Sequence, residues 1–174
     1  MAYLEFHFVF CFEGDLVDEA VGFDQVYVAN NKTDTAATIN AKLKQGLHLV
    51  LTPGIYSLDS ALEISHSGTV VLGLGFATLV SASSDAIIEV GDVDGVRVAG
   101  ILLQAGPLSD SGELQTVLMR VGTKDGGFAG DSSNPTVLSD VFARVGGPDG
   151  LSNNVGVETM VEGLLKKGFF FNVF

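Results

Sequence analysis

The sequence has little of what builds covalent cross-links or metal sites. It contains one cysteine, Cys11, among 174 residues, which excludes an internal disulfide and a thiolate metal site. It has no tryptophan, so the largest ring that could stack on a sugar is missing. The histidines His7, His48 and His66 share no metal-ligand spacing. We therefore expect no metal site and no cofactor, and we expect His48 to be an outward side chain of a strand.

Basic residues are scarce as well. Nine lysines and arginines stand against 21 aspartates and glutamates, which gives a net charge of −12. Nucleic-acid-binding domains normally collect phosphates with a basic stripe, and this chain would repel them. Nucleic acid is therefore excluded as an expected partner.

No uninterrupted apolar run is long enough to cross a membrane. The apolar stretch at residues 4–12 contains Glu5 and His7 and is far shorter than the roughly 18 residues that a span requires. No Lys or Arg precedes it and no small-residue cleavage site follows it, so we do not expect a signal peptide. Its side chains alternate, and this predicts a strand with an aromatic face.

What the sequence does contain is enough apolar material for one folded domain. Hydrophobic residues make up 47% of the chain and charged residues 17%, a composition that excludes a disordered chain. A helix is predicted over residues 35–45, because Thr33 or Asp34 can cap its start and Gly46 can end it. We expect Ile39 and Leu43 to be buried on its inner face.

After residue 46 the chain consists of short, β-branched runs that end at Gly, Ser, Asp or Pro. The gaps between most of them leave no room for crossover helices, which excludes a doubly wound α/β sheet. Two all-β folds remain, a β-solenoid and an antiparallel β-sandwich. A repeat led by Gly46, Gly68 and Gly95 has a period of roughly 25 residues and favours the solenoid. The runs cover residues 47–51, 55–58, 61–64, 69–74, 78–82, 86–90, 96–103, 116–121 and 136–145.

Two polar or glycine-rich motifs have ordinary structural interpretations. Gly73 and Gly75 are interpreted as coil corners, because Thr78 stands where a dinucleotide-binding loop needs its third glycine and no helix pattern follows. Asp92 and Asp94 are interpreted as part of an Asx turn, because the other ligands of a calcium loop are missing.

Several of these runs resemble a known superfamily. Residues 35–40 (TAATIN) and 49–56 (LVLTPGIY) resemble the start of right-handed parallel β-helices of the pectate-lyase-like superfamily. Residues 69–80 (TVVLGLGFATLV) and 93–100 (VDGVRVAG), with parts of 134–147, resemble more narrowly the N-terminal coils of large secreted β-1,3-glucanase-like proteins, some of which carry coagulation factor 5/8 type domains. The resemblance implies an all-β right-handed parallel β-helix of few coils with an N-terminal capping helix.

This interpretation divides the chain into three segments. Residues 1–23 are predicted as an aromatic strand and connector, residues 24–150 as the β-helix domain with its capping helix at 35–45, and residues 151–174 as a helix and a Phe-rich tail. Eight of the twelve phenylalanines lie in the first twelve and last six residues. Because an open solenoid end exposes apolar side chains and strand edges, we expect the Phe-rich termini to cover it or to form a homo-oligomer contact.

Outward strand positions supply the candidate site residues. A glycosidase needs two carboxyl groups about 5–9.5 Å apart, and Asp140 and Glu89 are the candidates for such catalytic groups. Arg97, Arg120 and Arg144 are candidates for ligand binding, since a guanidinium can contact a sugar or hold a carboxylate ionised. Charged side chains on a strand exterior are nevertheless most often solvated, and no nucleophile elbow accompanies them.

The resemblance implies a polysaccharide-associated β-helix module, a fragment of a larger secreted carbohydrate-active protein that lacks a complete active site. Two alternatives stay open: a structural or self-assembling solenoid, and a small polysaccharide hydrolase or lyase. We expect no activity from this chain; an active form would be a glycoside hydrolase or polysaccharide lyase. An extracellular location is implied by the resemblance alone, because the chain shows no export signal of its own.

Overall fold

Parallel strands are the main regular elements of the described residues in the computed structural model. The structure describes residues 21–83, 86–106, 117–122 and 128–144, together with the backbone of residues 161–162 and 170–172. A single turn of 3-10 helix, Phe23–Gln25, precedes the first strand. The described elements are β1 Val26–Ala29, α1 Ala36–Leu43, β2 His48–Leu51, β3 Ile55–Leu58, β4 Leu62–Ile64, β5 Val70–Ser81, β6 Ile88–Val90, β7 Arg97–Gln104, β8 Met119–Val121, β9 Val137–Arg144, β10 Val161–Glu162 and β11 Phe170–Asn172.

The strands form two sheets between which the chain passes back and forth. The larger sheet has seven strands in the order β1-β2-β5-β7-β9-β11, with β3 also paired to β5, and the smaller has the order β10-β8-β6-β4. Each pairing within the described strands is parallel. The antiparallel β-sandwich, which was the alternative fold, is therefore wrong.

The predicted right-handed parallel β-helix of few coils is also wrong as a description of these strands. The prediction placed a coil corner at Gly73 and Gly75, between the runs 69–74 and 78–82. Both runs instead belong to one strand, β5, which stays in one sheet along its 12 residues. Strand β7 also continues through Gly100, as the predicted run 96–103 does. A glycine in the sequence does not reveal whether the chain turns there or only bends, and here the bent strands build extended sheets with a parallel, β-helix-like strand order.

The predicted parallel stacking of the core side chains is confirmed. Leu49 of β2 pairs with Val71 of β5, and Val71 pairs with Val98 of β7. All three side chains are buried and belong to one hydrophobic cluster, which also includes Ile88 of the smaller sheet. The core is therefore shared by both sheets, and each strand buries its inward side chains against those of its neighbours.

The helix α1 lies within the predicted range of residues 35–45, and Ile39 and Leu43 are buried as expected. Its N-cap is Thr35 and not Thr33 or Asp34, because the Thr35 and Thr38 side chains each accept a hydrogen bond from the other's backbone N–H. This reciprocal arrangement satisfies two amide groups that a helix start leaves free.

Asp34 stabilises the turn before the helix. Its carboxylate accepts hydrogen bonds from the Tyr27 hydroxyl at 2.5 Å, the Asn30 amide at 2.7 Å and the Thr38 hydroxyl at 3.3 Å. Burial by itself would raise the pKa of Asp34, but these hydrogen bonds to the charged form outweigh it and lower the pKa. The hydrogen bond between Tyr27 and Asp34 raises the pKa of Tyr27.

A buried amide joins the helix to the smaller sheet. Asn40 donates through Nδ2 to the Ala61 carbonyl at 2.7 Å and accepts through Oδ1 from the Glu63 amide at 2.9 Å. The side chain thus pairs both of its polar ends, which removes the cost of burying them. This pair of bonds fixes α1 against the start of β4.

The predicted terminal segments are described only in part. The aromatic strand predicted near the N-terminus lies outside the described residues. Val161–Glu162 fall within the segment predicted as a C-terminal helix and form strand β10 instead, parallel to β8. Phe170–Asn172 of the Phe-rich tail form β11, parallel to β9.

Gly100 lies in β7 beside β5, whereas Gly46 follows the helix in open space, and the two glycines can be compared because both have positive φ. Gly100 has φ +67°, and a Cβ added to it would lie 2.5 Å from the Gly73 carbonyl oxygen; Gly46 has φ +82° and would meet nothing within 4 Å. Gly46→Ala should cost about 1–2 kcal/mol through its left-handed backbone alone. Gly100→Ala should cost about 1–3 kcal/mol more, because the strands must also move apart.

Urea unfolding of the two variants measures this difference directly. Equal losses of unfolding free energy in the two variants would contradict the close approach of β5 and β7 at Gly100.

Candidate functional site

The charged candidates from the sequence lie on two different sheets. Glu89 on β6 and Arg120 on β8 are opposite each other in the smaller sheet. Arg97, Asp140 and Arg144 lie on β7 and β9 of the larger sheet. The structure thus brings Glu89 to Arg120 and leaves the two candidate carboxyl groups on separate sheets.

Glu89 and Arg120 belong to a charged row that crosses the smaller sheet, defined here as Lys44, Glu63, Glu89 and Arg120. Glu63 is in register with Glu89, and Glu89 with Arg120. Lys44 Nζ lies 3.0 Å from Glu63 Oε2, and Arg120 Nη1 forms an ion pair with Glu89 Oε1. Two adjacent glutamates in a sheet would repel, and the flanking cations compensate that repulsion. The row therefore stabilises the sheet.

The remaining arginines hydrogen-bond within the larger sheet. Arg97 Nη1 donates to the carbonyls of Gly95 at 3.0 Å and Pro135 at 3.2 Å, which ties the two loops that precede β7 and β9. Arg144 Nη1 donates to Gln104 Oε1 at 3.3 Å, its partner in register on β7. Both contacts are structural, and the ligand-binding role predicted for these residues stays a prediction.

His48 is a half-buried strand residue, and its ring nitrogen is used by the backbone. Its Nδ1 accepts a hydrogen bond from the Val70 amide at 3.0 Å, and burial lowers the pKa of His48. An acceptor nitrogen must be unprotonated, so both effects favour the neutral imidazole. Stability contributed by this neutral ring is present above its unfolded pKa and is lost as the pH falls below it.

Asp94 and Asp131 hold a loop beside a small cleft that Phe128 and Thr136 help to line. Asp94 Oδ1 accepts a hydrogen bond from the Asp131 amide, so Asp94 fixes a loop 37 residues further along the chain. The Asx turn predicted at Asp92 and Asp94 stays a prediction. Asp131 accepts from the hydroxyl and amide of Ser133, which lowers its pKa. Within the described ranges, no three His, Cys, Asp or Glu side chains are placed to hold a metal ion.

Strands β5, β7 and β9 bend at the same level. Leu72 pairs with Ala99 and Ala77 with Ile101, so four residues of β5 stand against the single residue Gly100 of β7. On the other side of β7, Gly100 lies opposite Asp140 of β9. The extra residues of β5 form a β-bulge, which redirects the side chains beside it.

The bend forces two side-chain-bearing residues into the left-handed region. Phe76 has φ +54° and Asp140 has φ +50°, and they are the two non-glycine residues with positive φ among the described residues. Aspartate tolerates this conformation comparatively well, whereas for a bulky phenylalanine it is an outlier that costs about 1–2 kcal/mol. Asp140 is exposed to solvent there.

The same bend presents two exposed apolar side chains and an aromatic pair. Phe76 is 52% exposed and Leu74 is 41% exposed. The ring of Phe76 meets the half-buried ring of Phe142 edge to face, with centroids 5.1 Å apart and planes at 78°. We refer to Leu74, Phe76, Asp140 and Phe142 as the bend surface.

The outer row of the larger sheet beside the bend surface is uncharged. Ile55, Thr78, Leu102 and Phe142 are in register across β3, β5, β7 and β9. At one end of this row Ile55 is exposed, and at the other end Phe142 is half-buried. The sequence pattern indicated Asp140 but not Phe76 or Phe142, because the contact between these two rings depends on the register across the bulge.

The described part of the chain contains no helix long and apolar enough to cross a membrane.

Comparison with known proteins relates the chain to glucan-active proteins. The family model of the LAM55 pectate lyase-like domain matches residues 26–162. An exo-β-1,3-glucanase of Streptomyces sp. (strain SirexAA-E / ActE) is 46% identical over 129 residues, which are 74% of this chain and 20% of the relative. The chain therefore spans about a fifth of the length of this curated relative.

Two solved structures of sacteLam55A from Streptomyces sp. SirexAA-E are similar to the chain. One has a TM-score of 0.67 and 45% identity, covering 77% of this chain and 23% of the other. The second, a variant in complex with glucose, has a TM-score of 0.66 and 43% identity, with 76% and 23% coverage.

The two ion pairs of the charged row should differ in strength. The side chains of Arg120 and Glu89 are 28% and 37% exposed, against 62% and 54% for Lys44 and Glu63. Because solvent screens the more exposed pair, a double-mutant cycle with alanine should give a coupling of about 1 kcal/mol for Glu89–Arg120 and about 0.3 kcal/mol for Lys44–Glu63.

Chemical unfolding of the single and double variants supplies these couplings, and the Lys44–Glu63 cycle is the matched control. A coupling near zero for Glu89–Arg120 would contradict the structural role of the pair and would leave Glu89 open to a functional role.

Proposed function

The chain belongs to the LAM55 pectate lyase-like domain family, and from this membership we propose that it is a polysaccharide-associated module of a larger carbohydrate-active protein, with β-1,3-glucan as the polysaccharide. The resemblance that the sequence motifs carried, to pectate-lyase-like and β-1,3-glucanase-related proteins, is confirmed. Association with glucan is the step that the proposal adds.

One observation carries the proposal. The similarity to the exo-β-1,3-glucanase reaches 46% identity while it is confined to 20% of that relative. A match of this strength over one part of a longer enzyme supports a module that works as a unit within such a protein. The acidic character of the chain, with a net charge of −12, suits a neutral glucan better than an anionic polymer.

The geometry of the charged residues supports a module without its own catalytic centre. A glycosidase pair requires two carboxyl groups about 5–9.5 Å apart across the scissile bond. Asp140 lies in the larger sheet, and Glu89 lies in the smaller one, paired with Arg120. This arrangement supports binding over hydrolysis, and we propose that the chemistry belongs to other parts of the larger protein.

The full chain should sediment with an insoluble β-1,3-glucan such as curdlan and should be released by soluble laminarin. It should not sediment with cellulose, an insoluble β-1,4-glucan that serves as the control. Incubation with laminarin should release no reducing sugar, because the two candidate carboxyl groups, Glu89 and Asp140, lie on separate sheets.

Each alternative has its own outcome in this experiment. Equal sedimentation with both polymers, or with neither, would contradict the β-1,3-glucan module. Release of reducing sugar that Asp140→Asn abolishes would support the small hydrolase. A mass in solution above that of one chain, without glucan binding, would support the self-assembling structure.

A further inference from the structure

The bend surface combines two features that a fold does not need for its own stability. Phe76 adopts a left-handed backbone conformation, with φ +54°, that disfavours bulky side chains. The same residue leaves 52% of its surface in contact with solvent. Strained residues of this kind persist where the surrounding structure holds them, and they are concentrated at sites of function.

Neighbouring residues hold the Phe76 ring in a defined place. Its edge-to-face contact with Phe142, at 5.1 Å between centroids, reaches across strand β7. At the level of the bend, β7 contributes Gly100, where a Cβ would clash with the Gly73 carbonyl oxygen at 2.5 Å. Since a side chain at Gly100 would force the strands apart, the backbone there carries none between Phe76 and Asp140.

The chemistry of this surface is that of a sugar contact. The axial C–H groups of a β-glucosyl ring form an apolar face that packs on an aromatic ring, and its hydroxyl groups donate hydrogen bonds. Phe76 supplies an exposed ring. Asp140 supplies an exposed carboxylate, two residues before Phe142 on the same strand. Hydrogen bonds to a charged acceptor are stronger than those between neutral groups.

We propose that the bend surface is the glucan contact of this module. A glucosyl ring packs on Phe76, and a hydroxyl group of the same glucan molecule donates a hydrogen bond to Asp140. The inference rests on the proposed function, since it places on a defined surface the association with β-1,3-glucan.

Charge favours a neutral polysaccharide as the occupant. Asp140 is the ionisable member of the bend surface, and the adjoining row of Ile55, Thr78, Leu102 and Phe142 is uncharged. Arg144, on the same strand, has its guanidinium hydrogen-bonded to Gln104. An anionic polymer such as a polyuronate would meet the Asp140 carboxylate and a chain of net charge −12.

Calorimetric titration of the full chain with laminarihexaose tests the site. Phe76→Ala should weaken binding at least tenfold, because the packing surface is lost, and Asp140→Asn should weaken it several-fold. Phe23→Ala is the matched control, since Phe23 is an exposed phenylalanine, at 63%, that lies outside the bend. Its affinity should equal that of the wild type.

A second variant separates binding from stability. Phe76→Gly relieves the left-handed strain and removes the exposed ring, so it should raise the melting temperature while it weakens binding as much as Phe76→Ala does. A merely structural role for Phe76 gives the opposite result, a lower melting temperature with the affinity unchanged.

The outcomes distinguish failure of the proposed function from failure of the proposed binding surface. If the wild-type chain binds no laminarihexaose or curdlan, the proposed function fails. If the wild type binds and Phe76→Ala binds equally well, the glucan contact lies elsewhere and this inference alone is overturned. If Phe76→Ala instead changes the mass of the protein in solution and leaves its affinity for glucan intact, the bend surface is a protein contact and the inference is overturned as well.

Discussion

Continuous pairing of the strands on both sides of the bend is the constraint on which the rest of the structure depends. β5 pairs with β7, and β7 with β9, before and after the bulge. To keep both halves in register, β5 accommodates four residues where β7 has only Gly100. At this mismatch Gly75, Phe76, Gly100 and Asp140 all have positive φ. The bend therefore determines which side chains point out of the core.

The core and the outer surface follow from the same register. Inward positions such as Leu49, Val71 and Val98 stack in one buried column. Because β-strand side chains alternate, the positions between them must face outward. At the bulge this alternation is reset, so Asp140 and Phe142 lie on the outer surface while Val141 between them is buried. The bend surface is thus a consequence of how the core is kept intact across the bulge.

Sequence patterns predicted most of the local structure, because alternation and capping depend on near neighbours. The runs 47–51 and 55–58 contain β2 and β3. The buried helix residues Ile39 and Leu43 were predicted from the order of cap residue, helix and terminating glycine. The interpretation of Gly73 and Gly75 as corners was wrong, since whether a glycine ends a strand depends on its hydrogen-bonded neighbours. The charged candidates showed the same limit, as Glu89 is paired with Arg120, 31 residues away. The Phe76–Phe142 contact joins residues still further apart, so only the sheet register reveals it.

The measurement that tests the central claim most directly is a nuclear magnetic resonance titration of the full chain, labelled at phenylalanine rings and backbone amides, with laminarihexaose. The account predicts saturable shift changes for the rings of Phe76 and Phe142 and for the amide of Gly100, with no change at Phe23. Shift changes confined to another surface, such as the cleft beside Asp94 and Asp131, would contradict it.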